Sequence, residues 1–168
     1  MNNFIEGWYL AYTKPKHEKK VFEKLMEKQI NSYLPTVKKV RKWSDRKKII
    51  EEPLFPSYVF IYLKDASHYF TSLEQEGVLF YVRFGKKIAR VNDDIVNNIK
   101  LVASHGYQLE TSTDRLYEGQ RIIIQDGPLT GLSCEMVRYK GKEKILVRVN
   151  LLNQNILADI PAQSVALA

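Results

Sequence analysis

The sequence predicts an α+β chain of two modules, a sheet with flanking helices followed by a small β-barrel. Three observations point there. Leu54 to Leu63, LFPSYVFIYL, is the longest apolar run, and its β-branched and aromatic residues suit a strand buried on both faces. Amphipathic helical patterns lie before and after it, so that each of its faces has a candidate cover. Toward the C-terminus the pattern changes to short alternating strands and turn signals. Five short strands in ~50 residues cannot make a large sandwich, so a small closed or half-open barrel is the economical solution.

Taken in order, Trp8 to Thr13 (WYLAYT) reads as a first strand that Pro15 stops. From Lys16 onward Val21, Phe22, Leu25, Met26 and Ile30 recur at helical spacing, while Lys16, Lys19, Lys20, Lys24 and Lys28 fall largely off that face. The result is a helix with an oily side and a basic side, and Glu18, Glu23 and Glu27 offset the lysines less than salt-bridge lacing would require. Asn31 to Trp43 reads as a strand with Pro35 at an edge or bulge. Trp43 to Lys48 (WSDRKK) is then a basic turn leading into Ile49 and Ile50, and the whole makes a hairpin arm with nothing at its tip that needs burial. Pro53 and Pro56 bracket the entry to the central strand, so its ladder is expected to begin near Ser57 and to end at Lys64-Asp65. Ala66 to Glu74 is a short helix, Val78 to Phe84 a strand and Gly85-Lys86-Lys87 a turn. Asp93 to Ser104 closes the region as a helix with Asn92 as N-cap and Ile95, Ile99 and Val102 on one face.

Residues 105–116 lack periodicity and read as a linker between domains at 1–104 and 117–168. Within the second domain Arg121 to Ile124, Glu135 to Tyr139, Ile145 to Leu152 and Ile156 to Ile160 are strands, and Val165 and Leu167 add a last short one. Asp126-Gly127 and Lys140-Gly141-Lys142 supply turns.

The formal charge of +7 is unevenly placed. Residues 1–104 hold 19 basic and 12 acidic side chains, residues 105–168 hold 7 of each, and Lys14 to Lys48 alone holds 13 against 4. Such a concentration suits a polyanion or an acidic protein surface. The single cysteine, Cys134, excludes an internal disulfide and a multi-thiolate metal site. No stretch approaches the ~18 apolar residues of a membrane span, and the N-terminus lacks signal-peptide character, so a cytoplasmic protein without a membrane partner is expected. Enzyme signatures are missing: there is no phosphate-cradling glycine loop, HExxH, CxxC or GxSxG. His17, His68 and His105 are dispersed, and the Asp93-Asp94 pair is explained by a helix start. A non-enzymatic chain with no cofactor and no metal is expected.

WYLAYTKPKHEKKV, EPLFPSYVFIYL and EGVLFYVRFG together resemble the N-terminal (NGN) domain of the NusG transcription elongation factors, and EGQRIIIQDGPLTGLSCEMV resembles the KOW motif that opens their C-terminal domain. The KOW segment alone is shared with ribosomal proteins; both domains in this order are far more specific. EPLFPSYVF and YVRFG lean toward the specialised RfaH-like antiterminators. The resemblance implies an NGN-like α/β sandwich with an antiparallel sheet, joined to an SH3-like KOW barrel, in a monomer. It implies docking on the clamp helices of RNA polymerase through Tyr9, Tyr12, Phe55, Tyr58 and Phe60, with His68 and Thr71 facing the opposite side of the cleft. Lys14, Lys20, Lys24 and Lys28 match positions near the non-template DNA strand, whereas Glu76 stands where the specialised paralogue has a DNA-contacting arginine. Ile145, Val147, Leu151 and Leu152 correspond to barrel residues that recruit a small-subunit ribosomal protein or a termination factor. The barrel, rather than the helical hairpin known in RfaH, is expected from the turn signals and β-branched strands. A ribosome-associated RNA-binding protein is the alternative that the KOW motif and the charge also allow.

Overall fold

A computed structural model describes residues 4–104, 109–112, 114, 119–124, 131–149 and 154–159. The chain divides into two compact units, Met1–Asp93 and Asp94–Ala168. In the first, the elements run β1 (Gly7–Thr13), α1 (Glu18–Glu27), β2 (Ser32–Tyr33), β3 (Thr36–Trp43), β4 (Arg46–Pro53), β5 (Tyr58–Leu63), α2 (Ala66–Leu73), β6 (Val78–Tyr81), β7 (Arg83–Phe84), β8 (Lys87–Ile88) and β9 (Arg90–Val91). The main sheet has the order β2-β5-β1-β6, with β9 also pairing with β1, and its pairs are antiparallel.

Pleating sorts the side chains of β1 and β5. Tyr9, Ala11, Val59 and Ile61 turn to one face, where Val21 and Leu25 of α1, Tyr69 of α2 and Tyr81 of β6 complete a buried cluster. The register sets Leu10 beside Phe60 and Tyr12 beside Tyr58 on the other face. The expected arrangement had one helix on each face of β5; α1 and α2 instead contribute to the same cluster. Aromatic residues outside the helices fill part of the other side, since Phe55 packs edge-on to Phe60 at 6.4 Å and Tyr33 lies 6.1 Å from it. A helical period shows how much of a helix is apolar but not which side of a sheet it will cover.

Several boundaries differ from expectation. Pro35 splits the long predicted strand into β2 and β3, because proline removes a ladder donor. Arg46, Lys47 and Lys48 belong to β4 rather than to a turn, leaving only Ser44 and Asp45 to reverse the chain. Val78 to Phe84 is broken at Val82, whose N–H donates to Leu10 O at 2.9 Å.

The approach to β5 is fixed by a buried carboxylate. Glu18, in the first turn of α1, accepts the Ser57 N–H at 2.7 Å, and Ser57 O accepts from Thr13 N at 2.8 Å. Ser57 is thereby held at φ 69, a left-handed conformation that a non-glycine residue adopts only when its surroundings enforce it.

The second unit opens on α3 (Asp93–Ala103), whose buried side is Val96, Ile99 and Val102 with Ile95 at its margin. Then follow β10 (Leu109–Ser112), β11 (Gln120–Ile123), β12 (Ser133–Tyr139), β13 (Lys142–Val149) and β14 (Gln154–Ala158), an antiparallel sheet of order β10-β14-β13-β12-β11. Among the described residues of this unit the strand not anticipated is β10, inside the segment read as linker. Its four residues are too few to display a period, and its pairing with β14 is non-local. The predicted strand at Val165 and Leu167 and the turn at Asp126-Gly127 lie outside the described residues. Glu135 on β12 accepts from Arg148 Nε at 2.5 Å and from the Gly119 N–H at 3.1 Å. Gly119 is required there, because a Cβ would meet Met136 O at 2.1 Å. Burial opposes the charge of Glu135, yet the Arg148 and Gly119 hydrogen bonds outweigh it and hold the carboxyl below its usual range.

Two stability outcomes are expected. Glu18→Ala orphans the Ser57 N–H and lowers the stability of the first unit by about 1–3 kcal/mol, while Glu18→Gln retains an acceptor and loses less. Trp8 and Trp43, the two tryptophans of the chain, both lie in that unit, so fluorescence-monitored urea unfolding isolates it. For Glu135 the folded pKa is depressed, so its contribution is present above the unfolded pKa and is lost as pH falls through the folded one. Amide exchange in β12 and β13, followed below pH 4.5, is therefore expected to steepen in the parent and to be flatter in Glu135→Gln.

Candidate functional site

Three edge-to-edge strands leave an aromatic strip on the sheet face opposite α1 and α2. Tyr12 on β1 meets Tyr58 on β5 edge-on at 5.3 Å and stacks on Phe80 of β6 at 4.9 Å with 21° between the planes. The cross-strand pairs Tyr12–Tyr58 and Tyr12–Phe80 align the three rings in one row. Phe80 is 52% exposed, and Tyr12 and Tyr58 are half-buried. Partial burial raises the Tyr58 phenol above its ordinary value, so it stays a neutral hydroxyl donor and acceptor. Rings with large apolar area and polar tips are the side chains that dominate protein interfaces.

The other docking candidates lie elsewhere in the packing. Tyr9, Phe55 and Phe60 are fully in the core, and Tyr9 Oη is committed to Ile5 O. Tyr9 belongs to the helix-side cluster, whereas Phe60, packed by Phe55, lies beside Tyr58 on the strip's own face; none of the three offers a surface. His68 and Thr71 are one helical turn apart on α2 and half-buried. The His68 N–H donates to Asp65 Oδ1 at 2.9 Å as part of the helix cap, whereas its Nδ1 is buried without a hydrogen-bond partner among the described residues. Between them Phe70 is exposed, its ring 5.2 Å from Tyr69. Phe80 and Phe70 escaped the sequence reading. Alternation in VLFYVRF could have marked Phe80, since Tyr81 is buried and its neighbour must face the other way.

Lys14, Lys20, Lys24 and Lys28 are all exposed, and Lys20, Lys24 and Lys28 recur at the i, i+4 spacing that puts them along one flank of α1 and its C-terminus. Glu76 sits among them. Lys20 Nζ donates to its Oε2 at 3.1 Å, and that hydrogen bond, followed by the charges of Lys20, His17 and Lys14, holds the Glu76 carboxyl below its usual range. Lys24 also reaches Glu27 at 3.4 Å. The flank is thus basic, with two acidic side chains, Glu76 and Glu27, already engaged on it.

On the second unit Ile145 and Val147 are buried in the sheet core, whereas Leu151 and Leu152 lie outside the described residues. Among the described residues of this unit, the large apolar side chain that is exposed is Ile123 on β11, at the end of the strand order.

An α+β unit with an aromatic strip and a basic flank, followed by a unit whose strands β10 to β14 form one antiparallel sheet, defines a two-domain binding protein. The sequence profile described as Transcription termination factor nusG matches residues 6–100, more than half of the chain, and the chain belongs to the NusG family. Membership places it among non-catalytic scaffolds with a role in transcription. Among solved structures, one described as domain interaction in Thermotoga maritima NusG is 21% identical, with 96% of each chain covered and a TM-score of 0.52; it shares the fold. The MjSpt4:Spt5 complex in conformation A is 12% identical, covering 96% of this chain and 97% of that one, with a TM-score of 0.32. Among the described residues no helix is long and apolar enough to cross a membrane.

Proposed function

We propose that this chain is an elongation factor of the antiterminator, RfaH-like branch, which docks on the clamp helices of RNA polymerase through the Tyr58–Tyr12–Phe80 strip. The observation that carries the reading is that strip: three rings in register on the face left bare by α1 and α2. Family membership supplies the transcriptional setting. His68, Thr71 and the exposed Phe70 on α2 form a second contact, which bridges to the opposite side of the cleft. Binding the closed clamp better than the open one depopulates the paused state, since a ligand shifts an equilibrium by its differential affinity.

The lysine flank of α1 lies along the non-template strand and supplies phosphate affinity without base recognition. Glu76 competes with phosphate for Lys20, which weakens that contact and disfavours the DNA element that an arginine at this position would read. The second domain recruits a small-subunit ribosomal protein or a termination factor. Because Ile145 and Val147 are core, its exposed Ile123 is the better anchor.

Tyr58→Ala and Phe80→Ala are each expected to weaken polymerase binding by about 1–3 kcal/mol while the full chain stays folded, as measured by titration onto reconstituted elongation complexes. Parent-like binding and parent-like pause suppression in both variants would remove the docking role, and retention on ribosomal RNA instead of polymerase would favour the ribosomal alternative. On the same complexes, replacing Lys20 and Lys24 together by Gln is expected to flatten the log-log salt dependence by roughly 1–1.5 units, close to two single-strand phosphate contacts. An unchanged slope would mean that this flank faces solvent or an acidic protein surface.

A further inference from the structure

The arm formed by β3 and β4 is a sheet of its own, and the polymerase reading does not use it. Every residue from Lys38 to Ile49 is exposed. An isolated two-stranded ribbon is marginally stable, and this one has further handicaps. Arg41 stands directly opposite Lys48, and Lys42 opposite Lys47, so like charges face each other across both rungs. Val40, Ile49 and Trp43 are 62%, 68% and 60% exposed. Lys38 to Lys48 contains seven basic residues against the single acid Asp45. The carboxylates of Glu51 and Glu52 are confined to the root, where Glu52 pairs with Arg41 and, at 3.5 Å, with Lys39. Among the described residues no ion pair reaches Lys38, Lys42, Arg46, Lys47 or Lys48.

The register decides what such a ribbon fits. Lys39, Arg41, Trp43, Arg46 and Lys48 share one face, and Lys38, Val40, Lys42, Lys47 and Ile49 share the other. An acidic protein surface or a single strand lying flat would meet one face. A ribbon basic on both faces matches a trough with phosphates on both walls. We propose that the β3–β4 arm is a DNA-binding ribbon that enters the major groove of duplex DNA edge-on, its two basic faces turned to the two phosphate walls. The B-form major groove, about 12 Å wide, admits a two-stranded ribbon, whereas the deep, narrow major groove of A-form RNA does not. Strands of eight residues span about 26 Å, enough to carry the tip well clear of the main sheet.

The test uses the full chain and a fluorescent 20-base-pair DNA duplex, with no polymerase present, so that its outcome is independent of the docking strip. Anisotropy titrations over a series of KCl concentrations give the log-log slope. Arg41→Gln/Lys48→Gln on one face and Lys42→Gln/Lys47→Gln on the other are each expected to reduce that slope by about 1.8, two phosphate contacts on duplex DNA. Lys42→Gln/Lys47→Gln only relieves a like-charge rung, whereas Arg41→Gln also gives up the Glu52 ion pair, and circular dichroism of each variant checks the fold. Parent-like slopes in both lysine and arginine variants would overturn the proposal. So would an effect confined to one face, or tighter binding to a single strand or to double-stranded RNA of equal length.

Discussion

The pleat of β1 is the constraint on which the first unit depends. One strand of seven residues is paired on both edges, and its alternation sends Tyr9 and Ala11 toward the helices and Leu10 and Tyr12 to the far side. A slip of one residue would exchange the two sets, placing the Tyr12 hydroxyl among Val21, Leu25 and Ile61. The Glu18–Ser57–Thr13 linkage opposes such a slip, because it ties the end of β1, the start of α1 and the entry to β5 together through hydrogen bonds.

From that constraint the aromatic strip follows without further design at a distance. β5 and β6 adopt their registers against β1, and the rings at Tyr58 and Phe80 come to rest on either side of Tyr12. The three rings brace one another, Tyr12 edge-on to Tyr58 and stacked on Phe80, and Phe60 and Phe55 continue that face as buried core. Rigidity of this kind lowers the ordering cost of association. The lysine flank obeys different physics: its side chains are long and solvated, and its contribution rests on charge placement, which Glu76 moderates by direct pairing with Lys20.

Much of this was legible in the sequence, and the parts that were not share a cause. The α+β class, the helix at Val21 and Leu25, the central strand at Val59 to Leu63 and the hairpin arm are local patterns, and all appear. Motif positions alone could not separate Tyr12 and Tyr58 from Tyr9, Phe55 and Phe60, because burial depends on non-local neighbours: Tyr9 faces the helices, and Phe60 on the other face packs against Phe55 and Tyr33. β10 was missed for the same reason. Its four residues become a strand through pairing with β14 some fifty positions away, a non-local fact that LETS does not announce. Phe80 was the recoverable omission, since strict alternation beside a buried Tyr81 marks it.

The central claim is that the Tyr58–Tyr12–Phe80 row is buried against polymerase in the working complex. Site-specific photocrosslinking tests it most directly, with a benzophenone amino acid at position 80 of the full chain and, as a control, at position 84, where Phe84 is exposed but outside the row. Irradiation of reconstituted elongation complexes is expected to join position 80 to the clamp of the largest polymerase subunit in high yield and position 84 weakly or elsewhere. Equal labelling from both positions, or labelling from position 80 that never includes the clamp, would contradict the account.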